Sequence, residues 1–245
     1  MFGAYQAGAW KALSRELAPD IVVGASVGAL NGWYIAAGEP AEELERHWLD
    51  PVSGELMTYR LGGALWRGVF DPRPLEARAR HLVANYTPRV EYGLALLELR
   101  GLRRKLVRNR DVTWRHLVAS CAVPVGFAPV RLNGRLYFDG GLLEATPIWA
   151  AVEMGATRVI AVNASRFSAP AALSMLLRAG RVVGRRIGNS AAPEPGAEGA
   201  EIVIITPRDY LGTMLDGARW RRESIRRWID LGESDALSAM ESVRG

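Results

Sequence analysis

The sequence predicts an α/β fold: a three-layer α/β/α sandwich around a mainly parallel central sheet. Three observations carry that expectation. Short β-branched runs recur along the chain, apolar runs of helical length alternate with them, and Gly, Pro, Asn and Asp signals separate the two. The chain has 245 residues, 49% of them hydrophobic and 23% charged, enough to enclose a sizeable core. A single domain over 1–245 is expected, with a loop-rich cap over 50–74 and a flexible loop over 188–200.

In order, the chain opens on a helix rich in small residues that runs from Met1 through Trp10 to Leu13 and Leu17. Ile21-Val22-Val23, set off by Pro19-Asp20, reads as a short buried strand. An apolar helix follows through Ala29-Leu30 and Trp33 to Ala37, stopped by Gly38 and Pro40. Ala41 to Leu49 is a second helix with its glutamates outward, ended by Asp50-Pro51. From there to Pro74 breakers dominate, and Leu61, Leu65, Trp66, Val69 and Phe70 are the apolar anchors of a stretch expected to cover a pocket.

Leu75 to Val83 reads as a helix, Val90 to Leu99 as a strand and Lys105 to Val107 as its partner. Thr113 or Asp111 caps a helix that ends at Ala122, before Pro124. Val130 to Leu132 and Arg135 to Phe138 flank Asn133-Gly134, the strongest short hairpin signal. A helix from Pro147 to about Met154 and a buried strand from Arg158 to Val162 come next. Leu173 to Arg186 is expected to be helical and basic on one face, and 191–199 to be a surface loop. Glu201 to Thr206 is expected to be the last strand, followed by one amphipathic helix carrying Leu215, Ala218, Ile225 and Ile229.

The net charge of +5 rests almost wholly on arginine, with lysine only at positions 11 and 105. Such lopsidedness points to a composition bias rather than a nucleic-acid footprint, and the arginine clusters are read as solvated faces. Cys121 is the only cysteine, which excludes an internal disulfide and a cysteine zinc site. Its apolar surroundings mark it as a small buried hydrophobe rather than a nucleophile. No stretch has the length of a spanning helix and no leader pattern opens the chain, so a cytoplasmic protein, free or peripheral to a membrane, is expected.

Gly24-Ala25-Ser26-Val27-Gly28, between the Ile21 strand and the next helix, has the form of a nucleophile elbow. A serine turned outward on a sharp corner brings its flanking backbone together, so residues two before and two after must be small. The Val27 amide, at the start of the helix, would point at the oxyanion of a tetrahedral intermediate. The alternative for these five residues is a glycine-rich turn whose serine caps the helix.

A nucleophilic serine needs a base. The histidines are His47, His81 and His116, and only His116, with Asp71 or Asp111, follows the serine in the order acid then histidine. All three read as ordinary helix residues. Asp139 is the better candidate, because it ends a strand on the edge where α/β sheets hold their sites, and Gly140-Gly141 lets backbone approach it. On its own it would be read as a turn aspartate capping Gly140-Gly141.

Gly24-Ala25-Ser26-Val27-Gly28 together with Asp139-Gly140-Gly141 resembles the patatin-like phospholipases, and the resemblance covers nearly the whole chain. Residues 120–162, with Pro124, Phe127-Ala128-Pro129, the Asn133-Gly134 turn and Pro147, are similar to the family's dyad-aspartate block. It implies a serine lipid acyl hydrolase with a Ser26–Asp139 dyad, an acyl-enzyme, a lipid ester substrate, and neither cofactor nor metal. It also implies an oxyanion loop, G-G-G-x-R/K-G, behind a first strand. Here only Gly3 of that loop matches, and Phe2 stands at the Arg/Lys position. The expectation is an N-terminally incomplete domain, with Gly3 and Val27 as the oxyanion amides and an open edge or gap beside the Ile21 strand. A histidine-assisted esterase or acyltransferase, and a non-catalytic lipid-binding remnant, are the alternatives.

Overall fold

Alternating strands and helices are what the computed structural model contains; it describes residues 1–60, 68–168 and 199–244. Helix α1 (Gly3–Leu13) leads to β1 (Ile21–Gly24), α2 (Val27–Ala36) and α3 (Ala41–Leu49). A 3-10 stretch, Pro51–Met57, then precedes α4 (Pro72–Asn85). Asp71 caps α4 by accepting from the Arg73 amide, so this helix starts three residues ahead of the expected Leu75. Next come β2 (Glu91–Glu98), β3 (Arg103–Arg108), α5 (Trp114–Ser120), β4 (Val130–Leu132), β5 (Arg135–Asp139), α6 (Ile148–Glu153) and β6 (Arg158–Val162). The remaining described elements are β7 (Phe167–Ser168), β8 (Glu201–Ile205), β9 (Gly212–Thr213), α7 (Met214–Ala218) and α8 (Arg222–Arg244). The expected anchors Leu61, Leu65 and Trp66, the helix over Leu173 to Arg186, and all of the 188–200 loop before Gly199 lie outside the described residues.

The main sheet is mixed, which corrects the expectation of a mainly parallel one. β1 pairs parallel with β2, but β2 pairs antiparallel with both β3 and β5, and β5 with β4. The reason is local. Asn133 (φ 46) and Gly134 (φ 79) both take left-handed backbone, the geometry of the tight hairpin their sequence encodes, and Gly101 (φ 83) with Leu102 (φ 50) turns β2 into β3 in the same way. Parallel pairing returns in β6–β8 and β7–β9. Glu201–Ile205 is therefore not the last strand. Among the described strands β1 pairs with β2 alone.

Helices lie on both faces of β2. The Tyr92 hydroxyl donates to the Ala29 carbonyl of α2 at 2.7 Å. A Cβ on the next residue, Gly93, would stand 2.6 Å from the Met154 sulfur at the end of α6. Successive residues of a strand face opposite sides, so α2 and α6 flank the sheet. One core gathers Trp33, Tyr92, Leu94, Leu96, Leu117, Ile225 and Trp228.

The long amphipathic helix expected near residue 215 is two helices. Thr213 and Asp216 cap α7 reciprocally, and the chain turns at Arg219 before α8 begins. Leu215, expected in the core, is 57% exposed. Helix α8 packs across α1 at a distance only glycine allows. A Cβ at Gly8 would sit 1.9 Å from the Ile229 carbonyl oxygen, and one at Gly232 would sit 2.0 Å from that of Tyr5. Lys11 and Arg226 share Glu45 of α3, and Lys11 and Arg15 share Glu233 of α8, so these arginines are paired rather than simply solvated. None of the described helices is long and apolar enough to cross a membrane.

Candidate active site

Ser26 stands between β1 and α2 at φ 56, ψ −138, a region that costs a non-glycine residue roughly 1–3 kcal/mol. It occupies the N-cap position of α2, yet its side chain makes no capping bond. The serine-as-cap alternative therefore does not describe it. Gly24 makes the corner possible, since a Cβ there would lie 2.3 Å from the Gly28 carbonyl oxygen and 2.5 Å from the Ala29 Cα. Gly28 is less constrained than expected. Its added Cβ would meet only the end of the Gln6 side chain, at 3.3 Å.

Asp139 closes β5, opposite Leu96 of β2, and is 3% exposed. Burial raises its carboxyl from the ordinary 3.8 to about 6, against the lowering effect of the Ser26 hydroxyl and the Gly141 amide. The Gly141 bond is 2.8 Å long. Gly140 cannot be larger, because its Cβ would approach the Ala95 carbonyl oxygen to 2.4 Å. The turn-aspartate role is therefore filled, and the Ser26 hydroxyl acts on the same carboxyl.

Gly3 and Val27 are the first residues of α1 and α2, so neither amide has an intrahelical acceptor. The two helix starts meet: a Cβ on Gly3 would lie 2.5 Å from Cγ2 of Val27. Asn31 holds them together. Its Nδ2 donates to the Gly3 carbonyl and to Gln6 Oε1, both at 3.0 Å, and its Oδ1 accepts from the Trp48 indole at 3.1 Å. Sequence reasoning passed over Asn31, although a lone amide inside an apolar helix was the available signal.

The histidines are engaged elsewhere. His116 accepts from the Thr113 amide at 3.1 Å and completes the cap of α5. Burial lowers its pKa. His47 stacks near Tyr34, with ring centroids 4.6 Å apart, and burial lowers it to about 4. His81 contacts Asn85 and the Tyr86 ring. Asp71, the acid once paired with His116 in sequence order, is bonded to Arg73 and held at about 2. Cys121 is half-buried, and burial together with the Asp139 charge pushes its thiol well above the usual range, leaving it an unreactive neighbour.

The end of the stretch expected to cover a pocket meets the segment that follows α5. Val69 and Phe70 donate backbone bonds to Val125 and Gly126 at 2.9 and 3.0 Å, and Phe70 packs on Phe127 with centroids 5.6 Å apart. Among the described residues no group of three or more His, Cys, Asp or Glu side chains stands where it could hold a metal ion. Residues 1–152, which carry every one of the site positions named here, match the family model described as Patatin-like phospholipase.

Proposed function

The chain belongs to the patatin-like phospholipase family, and from that premise we propose that it is a serine lipid acyl hydrolase working through Ser26 and Asp139. The observation that carries this reading is a strained, uncapped serine at the β1–α2 corner, together with a buried carboxylate whose ionisation the Ser26 hydroxyl favours.

Ser26 Oγ attacks the ester carbonyl of the lipid and Asp139 takes the hydroxyl proton. With a pKa of about 6 the carboxylate is ionised about ten to one at pH 7, and it is a stronger base than an ordinary aspartate. The oxyanion forms against the Val27 and Gly3 amides, two helix N-termini whose dipoles favour negative charge. Asp139 returns the proton to the departing alcohol, leaving an acyl-Ser26. It then deprotonates a water that attacks the acyl carbonyl, and the fatty acid leaves as Ser26 recovers its proton. No step calls on a metal or a cofactor.

We place the reaction in the cytoplasm, at a membrane surface. Val125, next to the site segment, and Leu215, on the helix that packs against Phe2, are large apolar side chains more than half exposed. The test is release of fatty acid from phosphatidylcholine vesicles, together with labelling by a fluorophosphonate. Both are expected of the wild type and neither of Ser26→Ala. Labelling that persists in Ser26→Ala overturns the assignment.

A further inference from the structure

Ser120, the last residue of α5, is fully buried, and the dyad scheme gives it no part. Its Oγ accepts from the Ser26 amide at 3.1 Å and donates to the Ala95 carbonyl of β2 at 3.1 Å. That carbonyl is the atom on which Gly140, the residue after Asp139, is seated. Two residues beyond Ser120, the Ala122 carbonyl accepts from the Asp139 amide at 3.0 Å. The same helix end therefore grips the backbone of both Ser26 and Asp139, ninety-four residues apart in the first case.

We propose that Ser120 is a positioning residue, which holds the Ser26 corner in its left-handed conformation and so sets the separation between the Ser26 hydroxyl and the Asp139 carboxylate. The inference rests on the reading of Ser26 and Asp139 as nucleophile and base. A hydroxyl suits the position for a physical reason. One small atom has to be acceptor for an amide and donor to a carbonyl at a fully buried position. Alanine would leave both buried groups unpaired, and the amide released would be that of the strained residue itself. Cysteine would keep the connectivity with longer, weaker bonds, and threonine would add a methyl where nothing is exposed.

The experiment compares Ser120→Ala and Ser120→Cys with wild type, with Ile205→Ala as a stability control. Ile205 is buried in β8, in a separate cluster with Leu13 and Ala236. For Ser120→Ala, kcat on a soluble short-chain ester is expected to fall on the order of 10²-fold, the usual cost of an ångström of misplacement, with KM within twofold. Ser120→Cys is expected to fall between it and wild type, and it carries the comparison if the alanine variant does not fold. A second readout reports on geometry alone. The Ser26 hydrogen bond lowers the Asp139 pKa, so a displaced Ser26 moves the acid limb of the kcat/KM profile to higher pH. Ile205→Ala is expected to melt earlier with kcat and acid limb unchanged.

Wild-type kcat and acid limb in both Ser120 variants overturn the proposal, even if both melt early. Turnover that survives in Ser26→Ala or Asp139→Asn brings down the dyad reading first, and the proposal with it.

Discussion

Replacing Asp139 with asparagine should make the protein more stable while it removes the chemistry. The size of the effect follows from burial. The carboxyl is raised from 3.8 to about 6, a difference of about two units, worth about 3 kcal/mol at ~1.4 kcal/mol per unit. The sign follows from proton linkage. Below pH 4 the group is protonated folded or unfolded and contributes nothing. Between about pH 4 and 6 the unfolded chain ionises first, so the wild type loses stability as pH rises, and above 7 the whole cost is present. Asparagine never carries the charge, and its Oδ1 still accepts from the Gly141 amide. Asp139→Asn is therefore expected to melt roughly 6–12 °C above wild type at pH 8 and level with it at pH 4. Its kcat should drop on the order of 10²–10⁴-fold. Calorimetry from pH 4 to 8, run beside an ester assay, measures both. A variant no more stable than wild type at pH 8, or one that keeps turnover within a few-fold, refutes the reasoning.

Wild-type kcat/KM should rise with pH and level off above about pH 6, as Asp139 ionises; a profile flat down to pH 4.5 would assign the base elsewhere. His116→Gln keeps an N3 side chain able to cap α5, so turnover is expected within a few-fold of wild type, and a large loss would favour a histidine triad. The two elbow glycines should separate in chemical denaturation. Gly24→Ala drives a Cβ into backbone and is expected to cost at least ~3 kcal/mol, whereas Gly28→Ala meets a movable side-chain end and should be neutral or slightly stabilising. Asn31→Ala strands the Trp48 indole and removes the bond that ties the Gly3 carbonyl to α2, with an expected loss of about 1–3 kcal/mol and a lower kcat from a loosened α1 start; unchanged kcat would remove Gly3 from the oxyanion site.

Legibility in the sequence tracked the range of the interactions involved. The limits of α3 and β6 follow from Pro40, Asp50-Pro51 and the run Arg158 to Val162, and both were readable to the residue. Asn133-Gly134 encoded its own turn, and the strand–serine–helix corner encoded its own strain. Ser120 was invisible because its Ser26 partner lies 94 residues away and a serine carries no mark of such a bond; Asn31 stood out as an amide in an apolar helix, but its partners, 28 and 17 residues away, did not. The mixed sheet was missed for a related reason. β2 reads identically whichever neighbours it has, and its pairing with β5 depends on a chain excursion of some forty residues. Leu215 fitted the periodicity of an amphipathic helix, but the Thr213–Asp216 capping box makes α7 a separate short turn that leaves it outward.

The crossing of α1 and α8 has a consequence for biosynthesis. Tyr5 donates to Asp235 across 230 residues of chain, and Gly8 and Gly232 are shaped to admit each other's helix and nothing larger. A ribosome adding roughly 5–20 residues per second needs on the order of 10–50 s to span that interval. Throughout it α1 is out of the tunnel without α8, and Gly3 at its head is held from α2 and α3 alone. Nascent chains that already contain both Ser26 and Asp139 are therefore expected to be inert towards fluorophosphonate until α8 is made, and chains stalled at successive lengths would show labelling switch on only late. On the proposed reading, lipid cleavage is in this way withheld from the polysome, and a message cut short ahead of α8 is expected to yield a protein that carries Ser26 and Asp139 and cannot use them.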